Sequence, residues 1–174
     1  FTHWAKLNNL KQAAKTMNFL TEHGIGSYGE LESKLAAVSA RRDIAHAEIK
    51  RIESRSAELA LVMKHAGTYR QLKPLYDRYR KSNDKEKFLR GHESEIILFE
   101  AAARELKRLG AVPLPTTESM KTELANLVAE KERLLAEYKA ARTEAQEYET
   151  VKQNVDALLV VPKEQEQQRR HELE

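Results

Sequence analysis

The stretch YRQLKPLYDRYRKSNDKEKFLRG, residues 69 to 91, sets Tyr69, Tyr76 and Tyr79 among eight basic residues: Arg70, Lys73, Arg78, Arg80, Lys81, Lys85, Lys87 and Arg90. Cations at this density can neutralise a phosphate backbone, and tyrosine rings can stack on unpaired bases. From Lys64 to Arg90 there are nine Lys or Arg against Asp77, Asp84 and Glu86, a net +6, whereas the whole chain is only +3. The positive charge is therefore local, and the eight basic residues are the candidate nucleic-acid contacts. An acidic protein surface is a second partner class for them. A plainer reading uses the same residues differently. Tyr69, Leu72, Tyr76 and Tyr79 recur at helical spacing and share one face, so their rings are expected to pack while the charges occupy the wet face. The two readings combine in one expectation, a packed aromatic face beneath a DNA-facing basic rim.

Other chemistry finds little support. The six histidines, His3, His23, His46, His65, His92 and His171, form no HxH or HExxH pair, the spacing that places two ligands on one metal. Gly24-Ile25-Gly26 followed by Ser27 is too short for a phosphate loop and reads as a helix end followed by a cap. Carboxylates abound, but on helix faces they pair with lysines four residues away as solvated contacts. The expectation is a chain with no catalytic site, no metal site and no cofactor.

Charged residues make up 33% of the 174 residues and aromatics 6%, with six glycines and four prolines, a balance typical of long helices. There is no cysteine, which excludes disulfides and permits a reducing compartment. No apolar run reaches the length of a membrane span, and FTHWAKLNNL lacks a signal-peptide layout. A cytoplasmic location without membrane insertion is the default. The start at Phe1, within helical pattern, is expected of a piece of a longer protein.

The elements follow from periodicity. Leu7, Leu10, Ala14, Met17 and Leu20 trace a first helix closed at Gly24, with Trp4 expected to anchor it. Ser27 and Glu30 form a capping box that starts the next helix at Tyr28. Leu31, Leu35, Val38, Arg42, Ala45, Ile49, Ile52, Ser56, Leu59 and Met63 then alternate steps of four and three, and eight of these ten are apolar. Such a period of 3.5 residues is a coiled-coil seam. The phase slips through Val62, His65, Tyr69 and Leu72, and Pro74 is expected to kink or break the helix. Ser82, Asn83 and Asp84 can cap a short helix ending at Gly91. Ile96, Ile97, Phe99, Ala102, Ala103, Leu106 and Leu109 mark another helix, closed by Gly110. After AVPLPTTES, an extended connector with a capping threonine at its end, a second seam runs through Met120, Leu124, Leu127, Lys131, Leu134, Tyr138, Ala141, Ala145, Tyr148, Lys152, Val155 and Leu159, until Pro162 is expected to break it.

Neither seam can bury its stripe alone in water. The expected fold is all-α: an elongated antiparallel two-helix coiled-coil hairpin, with a short helical insert at its tip and a short N-terminal helix at its base. Residues near Leu31 should lie beside those near Leu159. Residues 1–161 form the helical module and 162–174 a polar tail. A monomer or a coiled-coil dimer fits this pattern.

HWAKLNNLKQAAKTMNFLTEHGI, YDRYRKSNDKEKFLRGHESEIILFEAAARELKRLG, the following LP and VKQNVDALL, in that order, resemble the C-terminal helical region of relaxase/mobilisation nuclease proteins from conjugative and mobilisable elements. The resemblance extends through most of residues 3 to 159. It implies a parent protein that nicks one DNA strand at a transfer origin through a tyrosine, with a metal held by a histidine cluster in an N-terminal nuclease domain. No such cluster accompanies Tyr28, Tyr69, Tyr76, Tyr79, Tyr138 or Tyr148, so none inherits a catalytic role. The implied function is that of an accessory module that assists DNA binding or contacts relaxosome and coupling proteins through its basic tip. A structural arm for dimerisation or docking, without DNA contact, is the alternative.

Overall fold

The computed structural model describes the backbone of residues 2–171 and the side chains of residues 8–159. The described residues form four helices, α1 (Thr2–Glu22), α2 (Tyr28–Lys81), α3 (Lys85–Arg108) and α4 (Thr117–His171), and no strand. None of these helices is long and apolar enough to cross a membrane. The side chains of Trp4 and Leu7, and those of the expected polar tail, lie outside the described residues. The chain divides into two compact units, Phe1–Ala47 with Leu134–Glu174, and Glu48–Arg133.

In the first unit α1 ends in a Schellman motif. The Ile25 N–H donates to Leu20 O at 2.8 Å and the Gly24 N–H to Thr21 O at 3.1 Å. Gly24 has φ +59°, a left-handed conformation open to glycine because it lacks a Cβ. α2 starts at Tyr28 as expected. The Glu30 N–H donates to Ser27 Oγ at 3.3 Å, while the Glu30 carboxylate accepts from Gly26 N–H at 2.6 Å. The carboxylate thus reaches back one residue further than in a standard capping box.

The α2 and α4 segments of this unit pack antiparallel. Tyr28 donates to Asp156 at 2.6 Å, Lys152 lies 3.9 Å from Glu32, and Arg41 pairs with Glu144. Leu31, Val38, Ala145, Tyr148 and Val151 form the core, with Phe19, Leu20, Ile25, Leu35 and Val155 packed against it. Leu31 therefore lies level with the Lys152–Asp156 stretch, short of its expected partner Leu159, which is 53% exposed.

α1 presents a different face from the expected one. Leu10 and Met17 are 69% and 61% exposed and Ala14 is exposed too, whereas Thr16 is buried and Ala13, Phe19 and Leu20 are half-buried. Polar contacts and ring packing select this face. Asn154 donates to Thr16 Oγ1 at 3.0 Å and accepts from Gln12 at 2.8 Å, and Phe19 meets the edge of Tyr148 at 5.0 Å.

In the second unit Leu59, Val62, Ala66, Leu106, Ala111 and Met120 form the core. Each large apolar side chain buried in this way contributes about 1.5–3 kcal/mol. The α2 and α4 segments again run antiparallel, with Lys131 on Glu53 at 2.7 Å and Arg55 on Glu123 at 2.7 Å. α3 buries Ile96, Phe99, Ala102 and Leu106 and ends in a second Schellman motif, with Gly110 at φ +67° and Ala111 N–H on Leu106 O at 2.9 Å. Thr116 then caps α4 by accepting from Ser119 N–H at 3.1 Å.

Of three expected interruptions, the two at prolines do not break their helices and the one after Gly91 is present. α2 is unbroken through Pro74. Tyr69 and Tyr76 bracket that residue and both stack on Phe99, at 4.8 and 4.2 Å, so tertiary packing holds the helix on either side of the one missing hydrogen bond. The short helix does end at Gly91 as expected: His92, at φ −142°, ψ 26°, leaves the helical conformation, and α3 is two helical segments meeting at a kink there. α4 is helical past Pro162 to His171, since a proline removes one N–H while the turns around it keep theirs.

Candidate nucleic-acid interface

The site is built from the last turn of α2, the turn Ser82-Asn83-Asp84 and the first turn of α3. The turn is tied locally. Ser82 N–H donates to Tyr79 O at 3.2 Å, Ser82 Oγ donates to Asp84 O at 3.1 Å, and Asp84 Oδ1 accepts from Lys87 N–H at 3.0 Å. Asp84 is thus the α3 N-cap, and its negative charge is placed against the positive end of the helix dipole.

Beneath the turn runs a chain of rings. Phe99 stacks with Tyr69 and Tyr76, Tyr76 lies 5.9 Å from Tyr79, Tyr79 6.1 Å from Phe88, and Phe88 4.8 Å from His92. The Tyr76 hydroxyl also reaches Glu100 at 3.4 Å. All three tyrosines of the basic stretch are half-buried, so the expected packed aromatic face is present. The sequence placed the tyrosines on one face, but nothing in local periodicity identified Phe88 and Phe99 as their partners.

The eight candidate cations separate into two groups. Arg70 donates to Thr117 Oγ1 at 2.7 Å and to the Pro115 carbonyl, tying α2 to the start of α4. Lys73 pairs with Asp77 at 3.0 Å, and that hydrogen bond raises the lysine pKa. Arg90 pairs with Glu86 at 3.0 Å. All three acidic residues of the stretch are therefore engaged, Asp77 and Glu86 in these pairs and Asp84 at the cap. Arg78, Arg80, Lys81, Lys85 and Lys87 are exposed and have no ion pair among the described residues.

Helix electrostatics account for only part of this group. Arg78, Arg80 and Lys81 lie in the last turn of α2, where cations complement the negative helix end. Lys85 and Lys87 lie in the first turn of α3, where a cation is disfavoured by about 0.3–1 kcal/mol at a solvated site. A neighbouring recess of about 290 Å³ is lined by Ser82, Asp84, Lys87, Phe88, Gly91 and His92. His92 Nδ1 is buried there without a hydrogen bond, 3.6 Å from Glu95 Oε1. A larger groove, about 880 Å³, lies in the first unit between α1 and α4, with Lys11, Lys15, Gln146 and Glu147 among its lining residues; it carries none of the candidate cations. No group of three metal-ligating side chains occurs among the described residues.

No family model, curated protein or solved structure matches this chain.

Proposed function

We propose that this chain is a non-catalytic accessory module that holds DNA by its phosphates at the turn between α2 and α3. The observation that carries this reading is the group of five exposed cations left unpaired while the three carboxylates of their own stretch, Asp77, Asp84 and Glu86, are engaged with other groups. Lys85 and Lys87 weigh most, because their own helix end disfavours them. The resemblance of its sequence to the C-terminal region of relaxases implies for such a module a position beside a DNA-nicking domain at a transfer origin in the cytoplasm, among relaxosome and coupling proteins. Arg70 contributes by holding the α4 start, and Lys73 and Arg90 form the flanks of the surface.

The finer architecture belongs to the same proposal. Alternating positions of α2 and α4 are buried in each unit, and the seam's charged members turn to partners at its rim: Arg42 to Asp43 at 2.8 Å, Lys131 to Glu53, and Lys152 to Asp156 at 3.0 Å. Long charged side chains cover apolar surface with their stems while the heads stay wet. We read this as coiled-coil packing of two antiparallel helices. The same rim pairs favour the second reading, a structural arm that spaces or docks proteins without touching DNA.

Replacing Arg78, Arg80, Lys81, Lys85 and Lys87 together by Gln separates the two readings. A phosphate-binding turn loses affinity for duplex DNA, and the slope of log K against log salt flattens by about 0.9 for each phosphate that is no longer neutralised. The melting temperature should hardly change, since unpaired exposed charges contribute little to stability. Unchanged affinity at low salt leaves the structural arm as the surviving reading.

A further inference from the structure

We infer that the DNA taken by the α2–α3 turn is duplex, held as a lattice of phosphates, and not an unpaired strand; this rests on the DNA reading above and specifies its ligand. Proteins that hold single strands without sequence preference combine cations with aromatic platforms on which bases stack, and stacking supplies much of their affinity. This turn has the cations without the platform. Tyr69 and Tyr76 are stacked on Phe99, while the half-buried Tyr79 makes tilted contacts with Tyr76 and Phe88, and Phe88 a tilted contact with His92. The same holds away from the turn: Tyr28 lies under Lys152, Tyr138 on His46, and Tyr148 against Phe19. Every described Phe and Tyr ring therefore has a partner within the chain.

What remains for a ligand is charge. Duplex DNA offers one phosphate per about 1.7 Å of its axis and returns a salt slope of about 0.9 per neutralised phosphate, against about 0.7 for a single strand. A site that gains from counterion release alone thus gains more on the duplex. Arg78, Arg80 and Lys81 at the end of one helix, with Lys85 and Lys87 at the start of the next, present cations from both sides of one turn. Such a set can meet phosphates without any base being unstacked.

The test uses the whole chain and three labelled probes of equal length, about 20 nucleotides per strand: a duplex, an oligo-dT strand and an abasic strand, each titrated by fluorescence anisotropy across a salt series. The expected result is duplex binding about tenfold or more tighter than oligo-dT at low salt, with oligo-dT and the abasic strand equal within about a factor of two. A Tyr79→Leu, Phe88→Leu variant that retains its melting transition should bind duplex as the parent does. Oligo-dT binding as tightly as duplex, or about fivefold more tightly than the abasic strand, overturns the inference while leaving the DNA reading in place. Failure to bind any of the three probes overturns that reading and the inference with it.

Discussion

Phe99 holds together the ring stack beneath the candidate interface. It is 5% exposed and stacks on Tyr69 and Tyr76, which flank Pro74 in α2. Removing a buried ring of this kind costs about 3–5 kcal/mol. Phe99→Ala should therefore lower the melting temperature sharply in circular dichroism. Tyr76→Phe is the matched control. It keeps the ring and loses only an exposed hydroxyl interaction with Glu100 at 3.4 Å, so a change below about 0.5 kcal/mol is expected. A Phe99→Ala melt indistinguishable from that of Tyr76→Phe would refute the role assigned to the ring stack. At this scale the residue types of the interface were legible in the sequence. Which cations are unpaired was not, because Arg70 finds Thr117 and the Pro115 carbonyl 47 and 45 positions along the chain.

Glycines at a helix end and inside a helix have different roles, and the difference can be measured. Gly110 ends α3 with φ +67°, and an added Cβ there meets no neighbouring atom, so the cost of Gly110→Ala is one of backbone conformation alone, about 1–2 kcal/mol. Gly67 lies inside α2, is exposed, and has equally open space around its Cβ position. Gly67→Ala should stabilise by about 0.5–1 kcal/mol, since alanine loses less chain entropy on entering a helix. Chemical denaturation of the two variants should give shifts of opposite sign; the same sign for both would mean that the glycine conformations are misassigned. Helix ends of this sort were legible because their hydrogen bonds close within a single turn. The continuity of α2 through Pro74 was not, since it depends on a ring in another helix.

Across the whole molecule, stability should depend on carboxylates that are held ionised. Asp156 in the first unit is kept below the ordinary Asp range first by the Tyr28 hydroxyl and then by Lys152, and Glu105 in the second below the Glu range by Arg108. A depressed folded pKa contributes stability that is present in full above the unfolded value, near about 3.9 for Asp and 4.3 for Glu, and is lost as pH falls through the folded value. The melting temperature should accordingly be steady from about pH 7 to 5 and fall below about pH 4, and Asp156→Asn should shrink that fall. Both carboxylates are only half-buried and still reach solvent, so added salt should weaken the effect. An acid profile identical in the parent and Asp156→Asn would show that the Tyr28 and Lys152 interactions carry no linkage. The order of residues was enough to establish the all-helical class, the caps at Ser27, Asp84 and Thr116, the left-handed glycines 24 and 110, and most of the buried positions of α2 and α4. Helical periodicity and capping bonds are set by residues within a turn or two of one another, so a single strand of text contains them. The face that α1 buries depended instead on the folded chain, because Asn154 and Tyr148 select Thr16 and Phe19 over Leu10 and Met17. So did the identity of the cations that remain unpaired beside the turn, a matter of contacts between residues that the chain brings together only when it folds.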